Sequence, residues 1–399
     1  MRIIYFSPHP THDIVSDVGY STHQREMIRA LQHLGHEVIP VIIGGSSKEE
    51  LPVATTNQRP NTLVSIIKAG IPGYLWRTLK DARLMRHDRH IAGPRLRAAI
   101  EKYDPDLVYE RSEYFLGQGA SISAQLGVKH IYEVNAPCVE EWLEFEGASF
   151  LTQKAEQCER LKMKHSSGFC PVSTPLGEYL AEHYQIQQNR IQVIPNAINL
   201  SGLKKETDRV AIRTKHGFKT TDIVIGFIGA ILPYHGVQLL VEAFIDAYKV
   251  NPNLKLLVVG DGKLLADLKR MTTEASINES VCFSGRIKHD LVWDYISAMD
   301  ICVNPKHSWY GSPIKTFEYG AMGRPIIAPD EGNMRDVLFH MNTAWLFDGS
   351  REGLNDAILK LSNDLSLREE LGRAMSGQIV EKNTWESNAE RLIEFAKTL

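Results

Sequence analysis

The clearest chemical potential in this chain stands in one stretch, Ser312-Pro-Ile-Lys-Thr-Phe-Glu-Tyr-Gly-Ala-Met-Gly323, followed by Arg324-Pro-Ile326. Ser312 suits a helix cap, Pro313 the first helical position and Gly323 the exit. Such a helix follows the strand and loop expected over Val303–Tyr310, so it begins at a strand's carboxyl end. Its free N–H groups make an anion site, and Lys315 adds a full positive charge in the first turn. Glu318 lies one turn on, where a carboxylate can accept hydrogen bonds from ribose hydroxyls. The plainer alternative is a capped core helix with a solvated lysine.

A second stretch repeats this outline. Ile223-Val-Ile-Gly-Phe-Ile-Gly-Ala-Ile-Leu-Pro-Tyr-His-Gly-Val-Gln-Leu-Leu-Val-Glu-Ala-Phe244 runs from a strand through glycines into a helix. Gly229 permits close approach of a ligand, and His235 and Gly236 stand at the helix entrance. It is neither a Walker loop nor a G-x-G-x-x-G fingerprint, so ATPase and dinucleotide readings lack their usual support. His9, His12 and Asp13 are metal-ligand types without a further ligand beside them, so a loop cluster and no metal site are expected. Residues 68–97 carry Lys68, Arg77, Lys80, Arg83, Arg86, Arg89, Arg95 and Arg97 against Asp81 and Asp88, a net +6. That charge suits an anionic lipid or a phosphorylated acceptor. Spacing of three drifts about 60° per step around a helix, which favours a solvated helix at least as well.

The elements that must position these residues alternate throughout. Buried strands are expected at Ile3–Phe6, Val38–Ile43, Asp106–Tyr109, His130–Val134, Gly168–Val172 and Gln192–Ile194. Six more follow at Ile223–Ile228, Lys255–Val259, Val281–Phe283, Ile301–Val303, Pro325–Ile327 and Ala344–Leu346. Helical patterns lie between them, as at Ser21–Leu34, Pro94–Tyr103 and Glu113–Leu126. Near-continuous apolar strands alternating with helices indicate parallel sheets covered on both faces. Twelve strands argue against one closed eight-strand barrel. The polar run around Asn199–Thr221 marks a boundary near residue 200. The expectation is an α/β protein of two doubly wound domains, 1–199 and 200–384, with ligands beyond the strands' carboxyl ends.

Composition bounds the function. The chain has 399 residues, 43% hydrophobic and 23% charged, which excludes a largely disordered protein and predicts two to three domains. Forty-five basic residues against forty-eight acidic ones give a net charge of −3, so no global field points to nucleic acid. Cys138, Cys158, Cys170, Cys282 and Cys302 are scattered, which argues against a disulfide framework or zinc knuckle and for the reducing cytoplasm. The opening Met-Arg-Ile-Ile-Tyr-Phe-Ser-Pro is too short an apolar run for a signal peptide, and no stretch approaches a membrane span. A soluble, cytoplasmic protein is expected, with residues 68–97 as the candidate contact with the cytoplasmic face of a membrane.

Several pieces in order carry a family resemblance: Val193-Ile-Pro-Asn-Ala-Ile-Asn199, Gly226-Phe-Ile-Gly229, Tyr234-His-Gly-Val237, Val258-Val-Gly-Asp-Gly262, Phe283-Ser-Gly-Arg286 and Glu318-Tyr-Gly-Ala-Met-Gly-Arg-Pro325. Together they resemble the retaining glycosyltransferases of family 4, which have the GT-B fold of two Rossmann-like domains facing across a cleft. The resemblance implies that the second domain binds a nucleotide-diphosphate sugar. Arg286 and Ile287 would flank the base, Glu318 would hold the ribose, and Ser312, Pro313, Ile314, Lys315 and Thr316 would hold diphosphate and sugar. Gly229 and His235 would complete the donor site, and the helix 385–399 would pack back on the first domain.

In that first domain, Asp17-Val-Gly-Tyr-Ser21 falls where relatives have a glycine-rich loop. Gly19 fits a close approach to the donor, and Ser21 with Gln24 reads as a capping box. Tyr109-Glu-Arg-Ser112 and Glu133-Val-Asn-Ala-Pro137 should open on the cleft. Asn135 stands where many relatives carry histidine. An amide cannot act as a general base, so Asn135 would orient a hydroxyl, with His23 as partner or as an exposed helix histidine. Three departures stand out: Ala230 for an arginine, His235 for a lysine, and Tyr310 for the first glutamate of an E-x₇-E pattern. They resemble a bacterial subgroup with a His-Gly turn and an S-P-x-K helix entry. The implied activity is metal-independent transfer of a sugar to a carbohydrate, lipid-linked or small-molecule hydroxyl, with no cofactor beyond the donor substrate. Lys315, the helix start at Ser312 and Arg286 would stabilise the departing diphosphate. The rivals are an epimerase or phosphorylase on the same fold and a non-catalytic nucleotide-sugar-binding protein.

Overall fold

The computed structural model describes residues 1–16, 18–45, 71–204 and 206–399. Asp17 and Lys68, named above, and Lys205, within the polar run 199–221, lie outside the described residues. The apolar runs form strands, and the central ones are buried on both faces. In the first unit these are β1 (Arg2–Ser7), β2 (Glu37–Ile42), β3 (Leu107–Arg111), β4 (Lys129–Val134) and β5 (Gly168–Pro171). They make a parallel sheet in the order β2-β1-β3-β4-β5. In the second unit, β6 (Ile223–Ile228), β7 (Leu254–Val259), β8 (Val281–Gly285), β9 (Ile301–Val303), β10 (Ile326–Pro329) and β11 (Trp345–Phe347) make another, in the order β11-β10-β9-β6-β7-β8. Both sheets are open, so the barrel alternative is excluded. The chain winds one way from β1 and β6 and then returns to the other side through β3 and β9. The crevices between β1 and β3 and between β6 and β9 are therefore the topological switch points, where open α/β sheets bind ligands.

Among the described residues there are eleven strands, one fewer than expected. Gln192–Ile194 only brushes the edge of β5: Gln192 N–H donates to Phe169 O and Ile194 N–H to Pro171 O, each at 2.9 Å. There β5 ends, and the next donor, Asn196 N–H, turns to Ser312 Oγ at 3.0 Å. The chain changes unit at this point. One unit holds Met1–Ile194 with Asn388–Leu399, the other Pro195–Ser387. The final helix, Trp385–Thr398, ends against the first unit's sheet. Lys129 Nζ donates to Ala396 O at 2.5 Å, and a Cβ on Gly168 would lie 2.5 Å from Leu399 Cδ1.

Two local readings are corrected. The first helix spans Gly19–His33 and has Val18 as its N-cap, so Ser21 lies inside it and makes no capping box with Gln24. Ser21 Oγ instead donates to Asp13 O at 2.7 Å, because the preceding loop folds back over the helix start. The basic stretch is a helical run, Gly73–His87 and Gly93–Tyr103, joined by a π-helical turn at Asp88–Ala92. Asp81 and Asp88, the two acidic residues named above, are buried. Asp81 accepts from Ser149 Oγ at 2.5 Å, and Asp88 accepts from Gly117 N and Gln118 N at 2.8 and 3.1 Å, capping the helix Gln118–Leu126. The outer face adds exposed Tyr74, Leu75, Leu79 and Ile91 to the arginines, so apolar and basic groups are mixed there. No helix among the described residues is long and apolar enough to cross a membrane.

Candidate functional site

In the second unit, β6 delivers the chain to Gly229 (φ +150°), then to a 3-10 turn at Pro233–His235 and Gly236 (φ +65°), which starts the helix Val237–Val250. The left-handed φ at Gly236 suits glycine, and a Cβ there would also lie 2.6 Å from Lys306 Cβ. From β9 the chain runs through His307 to Ser312 and into the helix Ile314–Ala321. Both loops thus open at the β6–β9 switch point. Ser312 does not cap the helix as expected; Pro313 occupies the N-cap, without a side-chain cap. The Ser312 hydroxyl is used instead by Asn196, whose N–H donates to it and whose Nδ2 donates to Ser312 O at 2.5 Å. This pairs the Pro195-Asn196 motif with the helix entry.

Lys315 projects from the helix's first turn back under the β6 loop. A Cβ on Gly229 would come within 3.2 Å of Lys315 Nζ, so glycine is what leaves the ammonium its space. The ammonium sits 4.4 Å from the centroid of the Phe227 ring, is itself buried, and has no hydrogen-bond partner. Burial pushes its pKa down to about 7, against the pull of Glu318 one turn on. The sequence reading of a permanent cation is corrected accordingly: over an aromatic ring and away from water, the charge needs an anion to hold it. The buried Thr316 Oγ1 and His235 Nδ1 are likewise without partners. Burial, then the charges of Lys315 and His307, takes His235 down to about 3, so its imidazole is neutral in the free protein. His307, which the sequence reading passed over, packs its ring edge-on to His235 at 5.9 Å. Ser308 N–H donates to its Nδ1 at 2.7 Å, placing the ring proton on Nε2.

Tyr319 holds the arrangement together, accepting from Ile228 N–H at the end of β6 at 2.8 Å. A buried ammonium, a neutral imidazole, a hydroxyl and a helix N-terminus form a setting for a phosphorylated anion. Glu318 is half-buried on the same helix. Arg286 and Ile287 follow β8, two strands from β6, with Arg286 exposed and Ile287 packed on the core. Ala230 is exposed and Tyr310 buried, so neither departure is offset by a charge at its own position.

Gly19, His23 and Asn135 belong to the first unit. Gly19 opens its helix. His23 is buried, which removes the reading of an exposed histidine. Its Nε2 lies 3.0 Å from Glu133 Oε2, while Arg111 Nη1 and Asn135 Nδ2 donate to Glu133 Oε1 at 2.7 and 2.8 Å. Glu133, at the carboxyl end of β4, is thus the hub that orients both predicted residues. Burial raises its pKa, but His23 and Arg111 outweigh that and hold the carboxyl well below its ordinary range. Glu133 stood in the quoted Glu133–Pro137 motif, and only its burial between two basic groups reveals its role.

Comparison with known proteins places both halves of the chain in one family. Residues 19–201 match the family described as Glycosyltransferase Family 4, and residues 208–378 match that described as Glycosyl transferases group 1. A GDP-mannose-dependent monoacylated alpha-(1-6)-phosphatidylinositol monomannoside mannosyltransferase of Corynebacterium glutamicum is 27% identical over 208 residues, 50% of this chain and 54% of that protein. The match thus spans about half the length of that relative. An uncharacterized glycosyltransferase of Methanocaldococcus jannaschii is 21% identical over 391 residues, 95% of this chain and 94% of that protein. The crystal structure of Anabaena HepE in complex with UDP superposes with a TM-score of 0.74 at 13% identity, covering 100% of both chains. With its two doubly wound sheets and family matches over both halves, the chain belongs to glycosyltransferase family 4 and has the GT-B fold.

Proposed function

We propose that this glycosyltransferase moves a sugar, with retention at its anomeric carbon, from a nucleoside-diphosphate sugar to a hydroxyl of a carbohydrate or lipid-linked acceptor, with no metal on the diphosphate. The observation that carries this reading is the buried, unpartnered Lys315 ammonium at the β6–β9 switch point. A diphosphate there supplies the counter-charge that burial denies the lysine. The donor class is supported by the UDP bound to HepE and by the GDP-mannose named for the corynebacterial relative, whose named acceptor is a phosphatidylinositol glycoside.

As the C1–O bond to the diphosphate breaks, its electron pair passes to the phosphate oxygen. Lys315 and the helix amides stabilise that developing charge. The acceptor oxygen bonds to C1 on the same face, and its proton passes to a diphosphate oxygen, so no protein nucleophile is required. Neutral His235 donates an N–H to a phosphate or sugar oxygen. The test is transfer from UDP- and GDP-sugars to an acceptor panel, with product anomers read by NMR in the presence of EDTA. Retained configuration and persistent turnover are expected. Inverted product, or activity lost on chelation and restored by Mg²⁺ or Mn²⁺, overturns the reading.

Glu318→Gln is expected to weaken nucleoside-diphosphate binding about five- to tenfold, the loss of one charge-assisted hydrogen bond. The carboxylate also supports the protonated state of Lys315, so the variant loses twice. Calorimetry checks this, and equal affinity in the two proteins would make Glu318 structural.

A further inference from the structure

We propose that His9, His12 and Glu113 form a binding site for a divalent transition metal of the Zn²⁺ class at the carboxyl ends of β1 and β3. His9 and His12 lie in the loop after β1, and Glu113 follows β3 by two residues. The sequence offered Asp13 as their neighbour, but Asp13 faces elsewhere, accepting from Val15 N, Ser16 N and Ser16 Oγ at 2.6–2.8 Å. The fold supplies Glu113 in its place. One ligand atom from each of the three residues lies within 4.8 Å of the others.

The loop that carries the two histidines is held in place. The His12 ring is stacked between His9 at 3.9 Å and Tyr20 at 4.2 Å. Its loop is pinned by Gly44, where a Cβ would fall 2.4 Å from His12 O, and by His87 Nε2, 3.0 Å from Pro8 O. Thr11 Oγ lies 3.1 Å from His9 Nδ1. That hydroxyl can accept from an Nδ1–H and leave Nε2 for the metal, with the longer 3.3 Å contact from Thr11 N given up. His12 Nδ1 and Glu113 Oε1 lie 2.5 Å apart, in hydrogen-bond contact. Ligand pairs around Zn²⁺ sit about 3.3 Å apart at bond lengths near 2.1 Å, so opening this contact by about 1 Å lets a metal replace the proton.

Two imidazoles with one carboxylate favour Zn²⁺ and its neighbours over Mg²⁺ or Ca²⁺, which prefer oxygen ligands throughout. Three protein ligands leave a fourth position for water or a ligand oxygen. That position opens at the first unit's own switch point, between β1 and β3. The inference is independent of the sugar-donor reading.

Full-length protein stripped with EDTA and desalted is titrated with ZnCl₂ by calorimetry and with CoCl₂ by visible absorption. One equivalent is expected, with cobalt d–d bands and no thiolate charge-transfer absorption. His9→Ala and Glu113→Gln, each verified as folded by circular dichroism, are expected to weaken Zn²⁺ binding at least about tenfold. Absence of saturable binding overturns the assignment. So does a thiolate band, or affinity unchanged in both variants, either of which places the ion elsewhere.

Discussion

Replacing Lys315 with alanine is expected to lower turnover by roughly 10²–10³-fold while leaving the free protein at least as stable as before. The two effects have opposite signs for one reason. With a diphosphate present, the ammonium supplies a charge-assisted contact in a dry setting, where such groups contribute about 2–4 kcal/mol to the transition state. Without one, the same ammonium is a buried cation with no hydrogen-bond partner, and its removal relieves the native state. The pH dependence follows from the pKa, about 7 in the folded protein against an ordinary 10.5. Between those values the unfolded chain binds the extra proton, so this group's contribution to stability rises with pH across that window and is absent from Lys315→Met. Nucleoside-diphosphate affinity should run the other way, falling by up to about tenfold per pH unit above 7 as the free protein loses the proton that binding needs. Steady-state kinetics at saturating donor, denaturant midpoints and calorimetry across pH 6.5–9 measure all three. Wild-type turnover in a folded Lys315→Ala protein would remove the lysine from the reaction.

The second large effect belongs to the first unit. Glu133→Ala is expected to destabilise the protein by about 3–5 kcal/mol, because it leaves the Arg111 guanidinium and His23 without their shared carboxylate. The Glu133 side chain is only 2% exposed and that of Arg111 12%, so water cannot readily replace the lost partner. Adding Arg111→Leu to Glu133→Ala should recover part of the loss, since a buried pair replaced by apolar groups is far less costly than a pair broken on one side. The folded carboxyl titrates below its ordinary 4.5, so its contribution is fully present above that pH and is lost as the pH falls further. The variant should therefore show a flatter acid limb in urea midpoints taken from pH 6 to pH 3. A loss smaller than about 1 kcal/mol would mean that Arg111 and His23 find other partners.

The alternation of apolar strands with helices was legible in the sequence because burial on both faces imposes continuous apolar runs, whatever lies around them. The helix entry at Pro313–Lys315 and the turns at Gly229 and Gly236 were legible for a similar reason, although Ser312 is not the cap: helix starts and positive φ are local demands on residue type. Gln192–Ile194 has the same composition as a strand and misled, because pairing depends on what its neighbour offers, and β5 ends at Pro171. Charge states and ligand sets were beyond any local reading. Lys315 looks like a solvated cation until Phe227 and Gly229, brought from another strand, close over its ammonium. His12 has no carboxylate partner until the fold brings it Glu113, 101 residues along the chain. Ser21 resembles a cap until the loop at Asp13 takes its hydroxyl. The sequence by itself determined most of the elements and the turns at their ends, since those follow from backbone sterics and periodicity. The tertiary structure alone decided which side chains carry charge and which meet, because desolvation and coulombic fields depend on neighbours that are close in space and distant in sequence.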